Sequence, residues 1–170
     1  MIKPFVTGRD IKRYQSPSSS RYLIFIRRGV RIDDYPAIEQ YLRNYKDRLQ
    51  PKPKGWKGGG WKGRKPGPYQ WYEIQDTIDY YAEFEKPKII IPAIVQSASY
   101  TFDRTGCYSS DKTSIIATDD LYLLGILNSK VSDFVMHLIS STKRGGYFDD
   151  PTYRSRLLNW RRAKVRRTSM

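Results

Sequence analysis

The sequence predicts an α+β fold: a mixed, mostly antiparallel sheet with a few helices and one long basic loop rich in Gly, Pro and Trp. Three observations carry that expectation. Short aromatic and β-branched runs bounded by charges or turn residues recur along the chain, as strands do. Other segments repeat apolar residues at i, i+3, i+4 and i+7, the spacing of one helix face. Between them, residues 50–70 hold four prolines and six glycines, a density that no helix or regular strand tolerates.

Taken in order, Arg21-Tyr-Leu-Ile-Phe-Ile-Arg27 reads as a strand. Asp33 and Asp34 offer N-caps, Pro36 fits a first helical turn, and Tyr35, Ile38, Tyr41, Leu42, Tyr45 and Leu49 share one face, which predicts a helix over 34–48. The loop of 50–70 follows, interrupted by Trp56 and Trp61. Lys88-Ile-Ile-Ile-Pro-Ala-Ile-Val95 reads as a strand bent or placed at an edge by Pro92. Tyr100–Asp103 and Thr113–Thr118 read as two more strands, parted by a turn near Gly106. Asp119 or Asp120 is expected to cap a helix over 120–128, and Ser132 or Asp133 a second one through Phe134, Val135, Leu138 and Ile139. Helices that follow strands in this way fit an α+β domain.

A length of 170 residues is enough for one domain with possible tails. No apolar run approaches the ~20 residues of a membrane helix, and no apolar signal core heads the chain, so a cytoplasmic protein with no membrane partner is expected. Cys107 and His137 are the single Cys and His. They exclude an internal disulfide framework and an ordinary structural zinc site, and they weigh against a Ser-His or Cys-His enzyme. On its predicted helix His137 is expected in the core or at its boundary.

Charge is segregated. The net charge is +14, of which residues 50–72 carry +6 and residues 151–170 carry +7, both without a single acid. Such blocks fit a polyanion-facing surface better than general solubility. In the loop, Lys52, Lys54, Lys57, Lys62, Arg64 and Lys65 alternate with glycines and two indoles. Lysine and arginine neutralise phosphates, glycine lets backbone approach closely, and an indole stacks or wedges. Lys54, Trp56, Lys57, Trp61, Lys62, Arg64 and Lys65 are therefore candidates for contact with DNA or RNA, with Arg64 suited to the guanine edge by its fork. Lys143 and Arg144 precede a double glycine and form a candidate phosphate clamp, or simply a helix C-cap.

Other patterns are weaker. Gly58-Gly-Gly-Trp-Lys-Gly63 matches G-x-G-x-x-G, but its setting of prolines and lysines lacks the strand and helix of a cofactor fold. Asp150-Pro-Thr-Tyr153 resembles the signature of amino-methylating DNA enzymes except for Thr152 in place of a second proline, and reads as a turn. Asp10-Ile-Lys12 has no earlier acid to partner it. Asp76, Asp79, Glu83 and Glu85 read as a solvated or helix-start face. A small metal-dependent nuclease using Asp76, Asp79 and Glu83, or an RNA-binding accessory protein whose aromatics stack on unpaired bases, are the alternatives. No catalytic or metal-ligating residue is assigned.

Six blocks in order share one resemblance: Ile2-Lys-Pro-Phe-Val-Thr-Gly-Arg-Asp-Ile-Lys-Arg-Tyr14, Tyr35-Pro-Ala-Ile-Glu-Gln-Tyr-Leu42, Trp71-Tyr-Glu73, Phe84-Glu-Lys-Pro-Lys-Ile-Ile91, Leu123-Leu-Gly-Ile-Leu-Asn-Ser-Lys130 and Lys143-Arg-Gly-Gly-Tyr147. Together they resemble the TaqI-like C-terminal specificity domain, the target-recognition part of adenine-N6 DNA methyltransferases and fused type II restriction–modification enzymes. The resemblance implies a domain over 1–148 that grips duplex DNA and reads its sequence. It implies a methyltransferase domain or subunit of the same system that binds S-adenosylmethionine and modifies a flipped adenine. No such domain precedes Met1, so no cofactor and no methylation are expected of this chain alone. The resemblance ends after Tyr147, and residues 149–170 are read as a separate basic tail.

Overall fold

Among the described residues thirteen helices and strands follow one another: β1 (Ile2–Val6), β2 (Tyr22–Ile24), α1 (Pro36–Arg43), α2 (Lys46–Leu49), β3 (Lys88–Pro92), β4 (Ile94–Val95), β5 (Thr101–Asp103), β6 (Tyr108–Ser109), β7 (Thr113–Ala117), α3 (Leu121–Leu127), α4 (Lys130–Ile139), β8 (Thr142–Lys143) and β9 (Tyr147–Asp149). This is a computed structural model that describes residues 1–149; the basic tail and the Asp150–Tyr153 turn lie outside the described residues. The α+β class is as the sequence predicts, with three small sheets that pair mostly antiparallel. The described chain divides into two compact units, one made of Met1–Ile2 and Ile24–Asp79, the other of Lys3–Leu23 and the described residues from Tyr80 to Asp149.

The first unit holds α1, α2 and the long loop. The single helix expected over 34–48 is divided. A 3-10 turn covers Ile32–Asp34, and Tyr35 precedes α1 without a side-chain cap, so neither Asp33 nor Asp34 performs the capping expected of it. The helix stops at Asn44, where N–H groups turn back to Tyr41 and Leu42, a tightening typical of helix ends. Asn44 is also a weak helix former. The expected aromatic face stays largely in solvent: Tyr35, Tyr41 and Tyr45 are all exposed, and no residue of α1 is fully buried.

The second unit is built on β3, the central strand of the order β5-β3-β7, with both pairings antiparallel. All five β3 residues are buried. Alternation sends Ile89 and Ile91 into one cluster with Val95, Ala98, Tyr100, Leu124 and Met136, and Ile90 into a second with Val6, Ile11 and Cys107. Pro92 is thus not on an edge strand; it marks the break in the run, where β3 ends and the chain passes to β4 in another sheet. It is tolerated because β5 pairs only as far as Ile90, which leaves Pro92 opposite Thr113 of β7 alone. A second sheet has the order β2-β1-β6, with β1 parallel to β6. A third has the order β4-β9-β8.

The junction of helices α3 and α4 is tied to the residue before β5 by a clamp that no periodicity signals. Asn128, 2% exposed, donates from Nδ2 to the Tyr100 carbonyl and accepts the Tyr100 N–H at Oδ1, both at 2.9 Å. Ser129 then caps α4 by accepting the Ser132 N–H at 3.2 Å. The cap expected from Ser132 or Asp133 belongs to Ser129, because Ser132 already lies inside the first turn. Asp120 caps α3 as anticipated, accepting the Leu123 N–H at 2.9 Å.

Beneath these elements lies an ion pair with no exposed surface. Lys88 of β3 and Asp103 of β5 are both 0% exposed and bonded to each other. Lys88 Nζ also donates to the Phe84 carbonyl at 2.5 Å. Asp103 accepts the Thr105 N–H at 2.8 Å, the Thr105 hydroxyl at 2.7 Å and the Cys107 N–H at 2.9 Å. Every formal charge there has partners, the condition for burying one.

Candidate nucleic-acid interface

The long loop leaves α2 at Gln50 and is closed at its neck. Pro51 and Arg64 form an isolated parallel bridge. The Lys52 N–H donates to the Arg64 carbonyl at 3.0 Å and the Arg64 N–H to the Gln50 carbonyl at 2.8 Å. A loop pinned in this way gives up much of the freedom that an open segment would lose on binding.

The Arg64 side chain locks the neck. Its Nε donates to the Leu49 carbonyl at 2.6 Å, Nη1 to Glu73 at 2.6 Å, and Nη2 to Trp71 at 2.7 Å and Gln70 at 3.2 Å. Its guanidinium lies 4.6 Å from the Tyr69 ring centroid. Burial pushes the guanidinium below its ordinary pKa, while Tyr69 and Glu73 act in the opposite direction. The fork expected to read guanine is therefore committed to four carbonyls of its own unit. Glu73, 5% exposed, completes the frame by accepting the Gly29 and Gln70 N–H groups, each at 2.7 Å.

Inside the neck the two indoles meet edge-on with centroids 5.0 Å apart. Trp61 is half-buried and donates to the Gln50 carbonyl at 3.3 Å; Trp56, 43% exposed, donates to the Gly59 carbonyl at 2.9 Å. The pair acts as a small internal support for a segment with no regular backbone ladder. Lys54, Lys57, Lys62 and Lys65 project from it, all exposed. Among the described residues none of these four has an ion-pair partner. Cations without partners are available to phosphates without first breaking a contact.

Lys143 and Arg144 belong to the second unit. The helix C-cap reading does not hold there: α4 ends at extended Ser140, and the double glycine turns the β8–β9 hairpin with φ of 75° at Gly145 and 72° at Gly146. Those left-handed angles suit glycine. Lys143 Nζ sits 3.0 Å from Asp149 Oδ2, whereas Arg144 is exposed at the hairpin tip. His137 is exposed, not in the core or at its boundary, and its ring lies 4.2 Å from that of Phe148.

Asp76, Asp79 and Glu83 do not gather as a metal-binding group; among the described residues no three His, Cys, Asp or Glu do. Glu83 pairs with Lys86 at 2.7 Å. Gly58–Gly63 runs through bends and irregular backbone, without the strand-to-helix crossing that a cofactor phosphate needs. Among the described residues no helix is long and apolar enough to cross a membrane.

The family model of the TaqI-like C-terminal specificity domain matches residues 3–150. The chain belongs to that family. The specificity domain is also 27% identical over 151 residues to the type II methyltransferase M.PaeR7I of Pseudomonas aeruginosa, a match covering 85% of this chain and 25% of that relative. The chain thus spans about a quarter of the length of the curated relative it matches.

Several blocks that carry the family likeness have structural tasks in this specificity domain. Trp71-Tyr-Glu73 supplies two of the carbonyls that hold Arg64 and the carboxylate that frames the neck. Phe84–Ile91 supplies Lys88 and a ring stacked on Tyr108 at 4.9 Å. Leu123–Lys130 supplies Asn128 and the Ser129 cap. None of these tasks was assigned from the sequence. The signals available were a lysine inside an isoleucine run and an Asn-Ser pair between two helices.

The Arg64 geometry gives a direct test of the neck. Arg64→Lys keeps the charge but replaces a planar five-donor fork with one ammonium. Losing even one charged hydrogen bond, about 1.5 kcal/mol, raises local opening roughly tenfold. Chymotryptic cleavage beside Trp56 and Trp61 is expected to accelerate by about that factor in Arg64→Lys. Unchanged cleavage would show that the neck is held without Arg64.

Proposed function

We propose that this specificity domain binds duplex DNA and reads its sequence as the target-recognition portion of an adenine-N6 methyltransferase in a cytoplasmic restriction–modification system. One observation carries the reading: a loop pinned by Arg64 presents four exposed lysines without ion-pair partners among the described residues. Fixed cations on a preorganised loop are suited to set register on a phosphate backbone, while neighbouring groups reach the base edges. Family membership adds the specificity role, and the name of the matched relative adds methyl transfer.

In this proposal Lys54, Lys57, Lys62 and Lys65 contact phosphates, Trp56 contacts bases, Arg144 adds a contact from its hairpin tip, and Arg64 positions the loop. Lys143, already paired with Asp149, serves the hairpin first. Methyl transfer belongs to a separate methyltransferase domain or subunit, and S-adenosylmethionine to that partner.

The test is competition. A labelled duplex of about 25 base pairs, several times the stretch a single module covers, is bound to the full chain at low salt. Unlabelled duplex DNA is expected to displace it, and single-stranded RNA of equal length to displace it poorly. Preferential displacement by RNA would replace this proposal with the RNA-binding reading.

A further inference from the structure

Arg64 commits its fork to carbonyls of the neck, yet a second guanidinium stands beside the same neck with most of its donors open. We infer that Arg28 reads a guanine of the DNA target, pairing two of its N–H groups with O6 and N7 in the major groove. The inference rests on the duplex-binding reading above and adds to it the residue that discriminates a base.

Backbone and burial put Arg28 at the tip of a turn. The Val30 N–H donates to the Arg27 carbonyl at 3.4 Å, so Arg28 and Gly29 are the central pair. Gly29 has a φ of 81°, a left-handed angle that suits glycine at the third position of a turn. Buried Ile26 and Ile32 hold the chain on either side, while residues 27–29 are exposed. The turn is tied to the neck region twice. The Gly29 N–H donates to Glu73 Oε1 at 2.7 Å, and the Ile74 N–H to the Ile26 carbonyl at 2.8 Å.

The Arg28 side chain is held without being used up. Its Nη2 donates to the Gln75 carbonyl at 2.7 Å, its one side-chain hydrogen bond among the described residues. The guanidinium lies 5.9 Å from the centroid of the Tyr69 ring, which Arg64 also meets. A guanidinium has several N–H donors in a planar fork, so one bond tethers Arg28 and leaves the others for a ligand. Guanine shows two acceptors, O6 and N7, spaced for such a fork, whereas a lysine ammonium offers only a point charge. A side chain fixed beforehand loses less freedom on binding. The Tyr69 hydroxyl donates to the Lys65 carbonyl, which joins the ring under Arg28 to the loop whose lysines are assigned to phosphates. Phosphate contacts set the register in which one tethered fork meets one base.

The test selects from a library of duplexes randomised at their central base pairs. The full chain is expected to enrich sequences that share a guanine. Replacing that guanine by 7-deazaguanine, which lacks the N7 acceptor, is expected to weaken binding about tenfold. Arg28→Ala and Arg28→Lys are both expected to lose the preference at that base pair and the response to 7-deazaguanine. Arg28→Lys, which retains the charge, should bind the unselected library within about twofold of the wild-type chain. Variants that still select the same guanine, or a wild-type chain that binds the library without enriching any sequence, overturn the inference while leaving duplex binding intact. Equal weakening of Arg28→Lys at every sequence also overturns it, because the residue would then serve a phosphate or the fold. Failure of the wild-type chain to bind the library overturns both readings.

Discussion

Lys88→Ala is expected to destabilise the β3-centred unit by about 3–5 kcal/mol, the usual effect of removing one partner from a buried ion pair. The substitution leaves the Asp103 carboxylate with no cation in a place that is 0% exposed. The Phe84 carbonyl also loses the ammonium that donates to it at 2.5 Å. Lys88→Met combined with Asp103→Leu is expected to recover much of the loss, since apolar residues of similar volume need no compensating charge. Urea unfolding of the three variants measures this. A double variant as unstable as the single one would show that the pair has a structural task beyond neutralising itself.

The same pair sets an acid limit. Burial on its own raises the Asp103 pKa, but hydrogen bonds from Lys88 and Thr105 and the Lys88 charge outweigh it, and the carboxyl titrates below its ordinary 3.8. A depressed carboxyl contributes stability that is fully present above the unfolded value and is lost as pH falls through the folded one. Asp103 is therefore expected to contribute fully at neutral pH and to contribute to acid unfolding only below about pH 4. Asp103→Asn should flatten that acid limb of the stability profile.

Replacing Lys54, Lys57 and Lys62 together by alanine is expected to produce the largest change in DNA binding. Each phosphate contact contributes about 0.9 to the slope of log affinity against log salt, so three lost contacts lower the slope by about 2.7. A protein making about 6–10 such contacts loses about 10³–10⁵ in affinity between 50 and 200 mM salt. The triple variant should bind weakly at low salt and respond much less to added salt. Lys86→Ala is the matched control, because that lysine is engaged with Glu83 at 2.7 Å. An unchanged slope in the triple variant would remove the loop from the interface.

Much of the fold was legible because periodicity and punctuation are local. The isoleucine run of β3, the Asp120 cap of α3 and the glycine- and proline-rich loop all follow from residues within a few positions of one another. Misreadings arose where distant partners intervened. Pro92 suggests a bend or an edge; the strand does break there, with β3 and β4 in different sheets, and only the short reach of β5 removes the edge reading. Strand β1 has no alternation clear enough to announce it, and its partner β6 is only two residues long and lies about a hundred positions away. The double glycine fits a helix cap as well as a hairpin turn, and pairing of Lys143 with Tyr147 decides for the hairpin.

The candidate interface divides in the same way. Composition located the basic loop, and the structure keeps Lys54, Lys57, Lys62 and Lys65 exposed. It separates Arg64 from them. In sequence Arg64 is one more cation in a basic run; in space its fork is satisfied by carbonyls of Leu49, Gln70, Trp71 and Glu73.

The net charge of +14 that sequence alone reports is therefore not one property. Sequence by itself determined the fold class, the segregation of charge into a glycine-rich loop and the family likeness, because each depends on order and composition along the chain. Tertiary structure decided which cations are available: it buried Lys88 against Asp103, engaged Arg64 within the neck, paired Lys143 with Asp149 and left the loop lysines exposed. The physical reason is that a charge acts through what surrounds it, and folding brings those surroundings from distant parts of the chain.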